Sequence, residues 1–265
     1  MNRISTTFFG PLLLALFLVG CDLTVAIDDD NRYHADASFS YTMSVDSDDE
    51  LDLTGINGTI TLIRTSSTDE LVVSGERRVE SSSRSDARSE LENLSVEIDR
   101  TADRVFVETK QPSSTRNREY EVTYVIELPA GMKAYVYNEN GNVEAENAGR
   151  TPDIFLVNGT VRLEHSWDSA TISVTNGRIV LDVELEENGT LDLSVVNGNV
   201  ELGIPASTSA ALAASVTNGS INTSGLTIEK SFESQTTLLG ALGQGNGEID
   251  IQTVNGSIDV HRSTN

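Results

Sequence analysis

The residue types best suited to chemistry are thinly spread along this chain. Three histidines, His34, His165 and His261, stand far apart, and the one cysteine is Cys21. A zinc site needs three or four converging ligands, so this spacing reads as surface or rim histidines. The acidic runs come closer to a site. DSDDELD holds Asp46, Asp48, Asp49, Glu50 and Asp52, and DDDN covers Asp28 to Asn31. Clustered carboxylates of this kind ligate calcium, but the first run lacks the glycine that gives an EF-hand loop its sharp turn. A solvated acidic loop is the expectation, with Asp46, Asp48, Asp49 and Glu50 as weak calcium candidates; no other metal or cofactor is implied. Arg162, Glu164 and His165, with Asp182 and Glu184 some twenty residues on, are of the types that cleave glycosidic bonds. Strand alternation generates such rows on any exposed face, and no GxSxG elbow occurs, so no catalytic residue is assigned. Trp167 is the only tryptophan and Tyr135 and Tyr137 share one strand face. Aromatics make up only 5% of the chain, too few for a broad sugar-stacking surface, and Trp167 is the candidate ligand contact.

The elements that must position these residues announce themselves by repetition. Seven segments align on an Asn-Gly pair: TGINGTITL, YNENGNVEA, FLVNGTVRL, SVTNGRIVL, SVVNGNVEL, SVTNGSINT and QTVNGSIDV. The pairs are Asn57-Gly58, Asn140-Gly141, Asn158-Gly159, Asn176-Gly177, Asn197-Gly198, Asn218-Gly219 and Asn255-Gly256. Apolar residues alternate with polar ones on either side, the signature of strands with one buried face. Around Asn176 the apolar set is Ile172 and Val174 before the pair, then Ile179, Leu181 and Val183 after it. Their parity changes from even to odd. A smooth strand cannot do that, so each pair is a bend, where glycine takes positive φ without a Cβ clash.

Two architectures place a bend there. Type I′ hairpins would make an antiparallel β-sandwich, with Val174 facing Ile179. Corners of a β-helix would instead stack successive asparagines into a ladder. Only a coil requires a constant interval, because each circuit must return in register about 4.8 Å above the last. The steps from Asn140 to 158, 176, 197 and 218 are 18, 18, 21 and 21 residues, which favours the solenoid. The apolar-x-Asn-Gly-x-Val/Ile-x-Leu pattern, Gly55-Ile56-Asn57, and YEVTYVIELPAGMKAYVYNENGNVEA at 120 to 145 resemble the bacterial "putative adhesin" families of β-strand repeats, including the head GIN domain of auto-transporter adhesins. That resemblance runs over most of residues 38 to 261 and implies an all-β, right-handed, single-stranded β-helix at the cell surface. It brings no catalytic motif with it.

The N-terminus supplies an address. After Arg3, an apolar run from Phe8 to Val19 is too short to span a bilayer, and Leu18-Val19-Gly20-Cys21 resembles the bacterial lipobox. Residues 1–20 then read as a lipoprotein signal peptide and Cys21 as the lipidated first residue of the mature chain. Residues 21–37 read as an acidic tether, 38–128 as an N-terminal strand region with a short helix near 85–94, and 129–265 as the solenoid. The helix rests on Ala87, Leu91 and Leu94, spaced i, i+4, i+7. Ala206 to Ala214 and Leu238 to Gly245 read as wider loops, and 111 to 119 as an exposed loop. With 18 Lys and Arg against 41 Asp and Glu, the formal charge is -23, which excludes phosphate-driven nucleic-acid binding. The expected protein is a non-catalytic, lipid-anchored module of the cell envelope, on the periplasmic side or the cell surface. Its partners would be the membrane through Cys21 and an unknown protein or glycan. The alternatives are a polysaccharide lyase or hydrolase on the same scaffold and an envelope accessory protein acting through protein partners.

Overall fold

A computed structural model describes residues 24–27, 32–67, 69–129, 131–146 and 152–263. The signal segment and Cys21 lie outside the described residues. Alternation yields fourteen strands: β1 (Thr24–Ile27), β2 (Tyr33–Ser44), β3 (Glu50–Asn57), β4 (Ile60–Arg64), β5 (Glu70–Ser81), β6 (Ser95–Thr101), β7 (Arg104–Lys110), β8 (Glu119–Leu128), β9 (Lys133–Glu146), β10 (Pro152–Ile204), β11 (Ala210–Ser224), β12 (Ile228–Glu233), β13 (Thr237–Leu242) and β14 (Gly247–Arg262). One helix, α1 (Arg84–Leu91), lies between β5 and β6. Among the described residues the fold is all-β apart from that helix.

All fourteen strands join in one sheet, whose main path runs β1-β2-β5-β8-β4-β9-β10-β14-β11-β13-β12. The Asn-Gly repeats pair in parallel. Asn158 stands opposite Asn140, Asn255 opposite both Asn197 and Asn218, and Asn57 opposite Asn140. Hairpins at these pairs would require antiparallel neighbours, so the Asn-Gly pairs bend the chain without reversing it. β10 makes the point by its length: 53 residues at about 3.3 Å each would reach about 175 Å if straight. It bends at Asn158-Gly159, Asn176-Gly177 and Asn197-Gly198, and hydrogen bonds join those asparagines side by side.

At the bends only glycine fits. Gly177 has φ +152°, and a Cβ there would lie 1.8 Å from the carbonyl oxygen of Gly159 on the neighbouring segment. The same collision recurs up the column, so backbone approaches backbone with no room for a side chain.

Inward positions form rows across the stack. Leu53, Val136, Ile154, Ile172, Leu193 and Ile251 are buried before the bends, and Ile60, Val143, Val161, Ile179, Val200 and Ile258 after them. The parity switch read from the sequence is therefore what keeps both halves of each repeat facing the core. Two residues before the bend asparagines, the inward positions Asn138 and Thr253 are polar, and Asn138, 1% exposed, donates its amide to the carbonyls of Gly58 and Asn140. The space it fills belongs to Gly55, where a Cβ would lie 2.5 Å from Asn138 Oδ1.

The order of the stack departs from chain order. The column of asparagines runs 57, 140, 158, 176, 197, 255, 218, so β14 lies between the last repeat of β10 and β11. Residues 38–128 are not set apart either: β3 and β4 pair in parallel with β9, carrying the sheet across the 128/129 boundary. The tether does not reach residue 37, because β2 begins at Tyr33 and pairs with β5, burying Ala35 and Ala37. The two segments read as loops are largely strand. β11 starts at Ala210, and β13 covers its outer side in antiparallel register from Ala210↔Leu242 to Ser215↔Thr237. Small Ala and Gly side chains had hidden the alternation there. Antiparallel strands thus bound the parallel stack at both ends, β5 against β8 at one and β13 against β11 at the other.

Candidate binding face

Outward positions before each bend also fall into rows, and strand register fixes their neighbours. Five residues before the asparagines, successive strands present Asp99, Phe106, Asp52, Tyr135 and Asp153, acid and aromatic in alternation. The next row presents Glu97, Glu108, Thr54, Tyr137 and Phe155. Tyr137 and Phe155 are parallel, 5° between planes with centroids 5.5 Å apart, and both are open to solvent at 36% and 41%. Beyond Phe155 the face flattens to Ser173 and Ser194, whose hydroxyls are 3.0 Å apart. Asp192 and Asp250 face each other one row over.

The chain itself shows what this chemistry holds. Arg104 is ion-paired with Glu50, its Nη1 lies 3.6 Å from Asp52 Oδ2, and its guanidinium sits 5.4 Å from the Tyr135 ring centroid. A cation is thus clasped between two carboxylates and an aromatic ring. The Asp153 carboxyl is raised above its ordinary pKa, first by partial burial and then by the Asp192 carboxylate.

After the bends lies a different face. Arg178, Asn199, Glu201, Ser257, Asp259, His261 and Arg262 line an open depression of about 550 Å³. Beside it, Gly203 lets neighbouring side chains pack close to the backbone: a Cβ there would meet His261 Nε2 at 3.1 Å and Asp182 Oδ1 at 3.3 Å.

The residues singled out in the sequence do not converge. His34 lies 3.4 Å from Asp36, His261 lies 3.5 Å from Asp259, and His165 is an exposed residue at φ 75°. Among the described residues no three metal-ligating side chains cluster. Of the calcium candidates, Asp49 is buried, accepts from the Asp46 amide, and is paired with Arg100 at 2.7 Å, while Glu50 is paired with Arg104. Those carboxylates close a loop and clasp arginines instead of facing outward together; Asp46 and Asp48 are exposed. Arg162 stands opposite Glu144 and Glu164 opposite Glu146, in the rows that alternation predicts. Asp182 accepts from Ser263 Oγ at 2.6 Å. Trp167 lies within β10, but its side chain is outside the described part of the structure. Tyr135 and Tyr137 do share the outer face. Phe155 was missed, although it follows Tyr137 by the same 18 residues that separate Asn140 from Asn158.

Comparison with known proteins adds the following. No curated protein matches the chain. Among solved structures, a putative cell adhesion protein from Clostridium sporogenes is 15% identical, covering 85% of this chain and 99% of its own, with a TM-score of 0.47. A putative adhesin from Bacteroides fragilis is 8% identical over 84% of this chain and 96% of its own, with a TM-score of 0.34. A putative lipid binding protein from Parabacteroides distasonis is 10% identical over the same shares, with a TM-score of 0.35. The family described as Toastrack DUF4097 matches residues 136–261, the stretch that carries six of the seven Asn-Gly bends. That stretch, the parallel stack from β9 to β14, is therefore the part of the chain that is similar to Toastrack DUF4097.

Proposed function

We propose that this chain is a lipid-anchored β-solenoid of the cell envelope that binds a ligand without catalysis, with the outer face before the bends as its binding surface. The observation that carries this reading is the exposed, parallel Tyr137 and Phe155 pair on a flat, regularly spaced face. Exposed aromatics on a rigid scaffold are where interfaces concentrate their energy. Rows held by backbone pairing supply preorganised spacing, which lowers the ordering cost of binding. Cys21 anchors the module through acyl chains, and no helix among the described residues is long and apolar enough to cross a membrane.

The test uses the full acylated chain in phosphatidylcholine nanodiscs against arrays of glycans and envelope proteins. Saturable binding to one class, lost in Phe155→Ala, is expected. Cys21→Ser is expected to leave the membrane fraction in cells. A silent array, or hits indifferent to Phe155→Ala, removes the assignment to this face, and a Cys21→Ser chain that stays membrane-bound removes the anchor.

A further inference from the structure

Resting on that reading, we propose that the partner taken by this face is a cationic, arginine-rich segment of another protein, laid across the stack beside Phe155. The face has already solved the problem once. Arg104 is held by Glu50 and Asp52 on β3 and by the Tyr135 ring on the adjoining β9. One strand further on, the same ingredients recur with no arginine of the chain's own among the described residues. Phe155 offers a ring, Asp153 lies two residues before it on the same strand, and Asp192 follows two repeats along. Between them stand only Thr171 and Ser173, small enough to leave a floor. The strands bearing Phe155 and Asp192 are two steps apart, roughly 9.6 Å, which leaves a gap for a planar cation between ring and carboxylate.

Charge decides between a cation and a neutral ligand. Asp153, Asp192 and Asp250 form no ion pair among the described residues, and Asp192 faces Asp250 on adjacent strands. Carboxylates so placed repel one another, and the Asp153 carboxyl is held up by burial and by Asp192. A sugar would leave that repulsion in place; a guanidinium removes it. The chain's net charge of -23 also steers a basic segment toward it. Arginine fits better than lysine because a flat guanidinium stacks on a ring while it forks to carboxylates.

The experiment is fluorescence anisotropy of labelled octa-arginine and octa-lysine with the full acylated chain in phosphatidylcholine nanodiscs, at low and high salt, with cellohexaose as a neutral competitor. Phe155→Ala should weaken octa-arginine by about fivefold and octa-lysine by less. Asp153→Asn with Asp192→Asn should weaken both peptides and flatten the salt dependence. Glu144→Gln with Glu201→Gln removes equal charge from the face after the bends and should change affinity by no more than about twofold. Equal losses in the two charge variants would mean diffuse attraction and would overturn the proposal, as would octa-arginine binding that ignores Phe155. Phe155→Leu, which keeps an apolar side chain, repeats the test should the alanine variant fold poorly. Absence of octa-arginine binding, or saturable binding of cellohexaose alone, also overturns it; the cellohexaose result would leave the binding-module reading standing.

Discussion

Seven carboxamides run along one edge of the molecule from Asn57 to Asn218, and in each neighbouring pair the Oδ1 nearer Asn57 accepts from the Nδ2 of the one beyond it. Asn57 at one end gives its own amide to the Tyr120 carbonyl. An asparagine in mid-column makes two such bonds, of 3.0 and 2.9 Å for Asn176, whereas Asn218 makes one. Asn176→Ala should therefore cost about 1–2 kcal/mol and Asn218→Ala about half of that, measured by urea unfolding. Gly177→Ala is a different kind of change. Its Cβ would penetrate the Gly159 carbonyl in a backbone conformation that L residues rarely adopt, so a loss above roughly 3 kcal/mol is expected. If Gly177→Ala melts like Asn176→Ala, the close backbone column is wrong. The bends were legible because each rests on two adjacent residues. Asn138 was not: it stands where Leu156 and Val174 stand, and its burial is made tolerable by Gly55 and the Gly58 carbonyl from distant sequence together with the Asn140 carbonyl two residues on.

At the scale of elements, α1 shows how far local signals reach. Ser83 caps it by accepting from the Asp86 amide, and Ala87 and Leu91 bury its inner side, as their spacing predicts. What fastens the helix comes from 32 residues away, in the stretch read as exposed loop. Arg118 grips Asp86 through two bonds of 2.7 Å and reaches Glu90, which also accepts from the Tyr120 hydroxyl. Arg118 first, then Ser81, hold the Asp86 carboxyl down at about 2, against an ordinary 3.8. A depressed carboxylate stabilises the fold above its unfolded pKa and loses that contribution as the pH falls through its folded pKa. Asp86→Asn should thus cost about 1 kcal/mol at pH 6, after discounting for its partial exposure, and progressively less from about pH 4 down to pH 2. Urea midpoints of both proteins at pH 6, 3 and 2 check it. A gap that persists unchanged at pH 2 would show that the ion pair is not its source.

For the whole molecule, the decisive feature is that the last strand is not at the end. β14 pairs in parallel on one side with β10 and on the other with β11, and it buries Ile249, Ile251, Ile258 and Val260. A chain stopped at residue 246 loses a central layer of the stack, while β11 to β13 lose the neighbour that joins them to the rest. Such a truncation should expose residues 180–245 to limited proteolysis and aggregate in sedimentation. A monomer with unchanged melting would contradict the interleaved order. The lipobox resemblance and the repeat are written in short, contiguous signals. So are strand alternation, the Asn-Gly bends and the acidic surface, because each depends on residues close in sequence. Spatial order depends on which apolar faces complete one another once several repeats are present, and near-identical repeats such as SVVNGNVEL, SVTNGSINT and QTVNGSIDV offer no local preference among neighbours. For the same reason the aromatic and acidic face, assembled from β6, β7, β3, β9 and β10, and the Arg104 clasp within it were decided by the tertiary structure alone: parallel register places side by side residues that the chain keeps up to 85 positions apart.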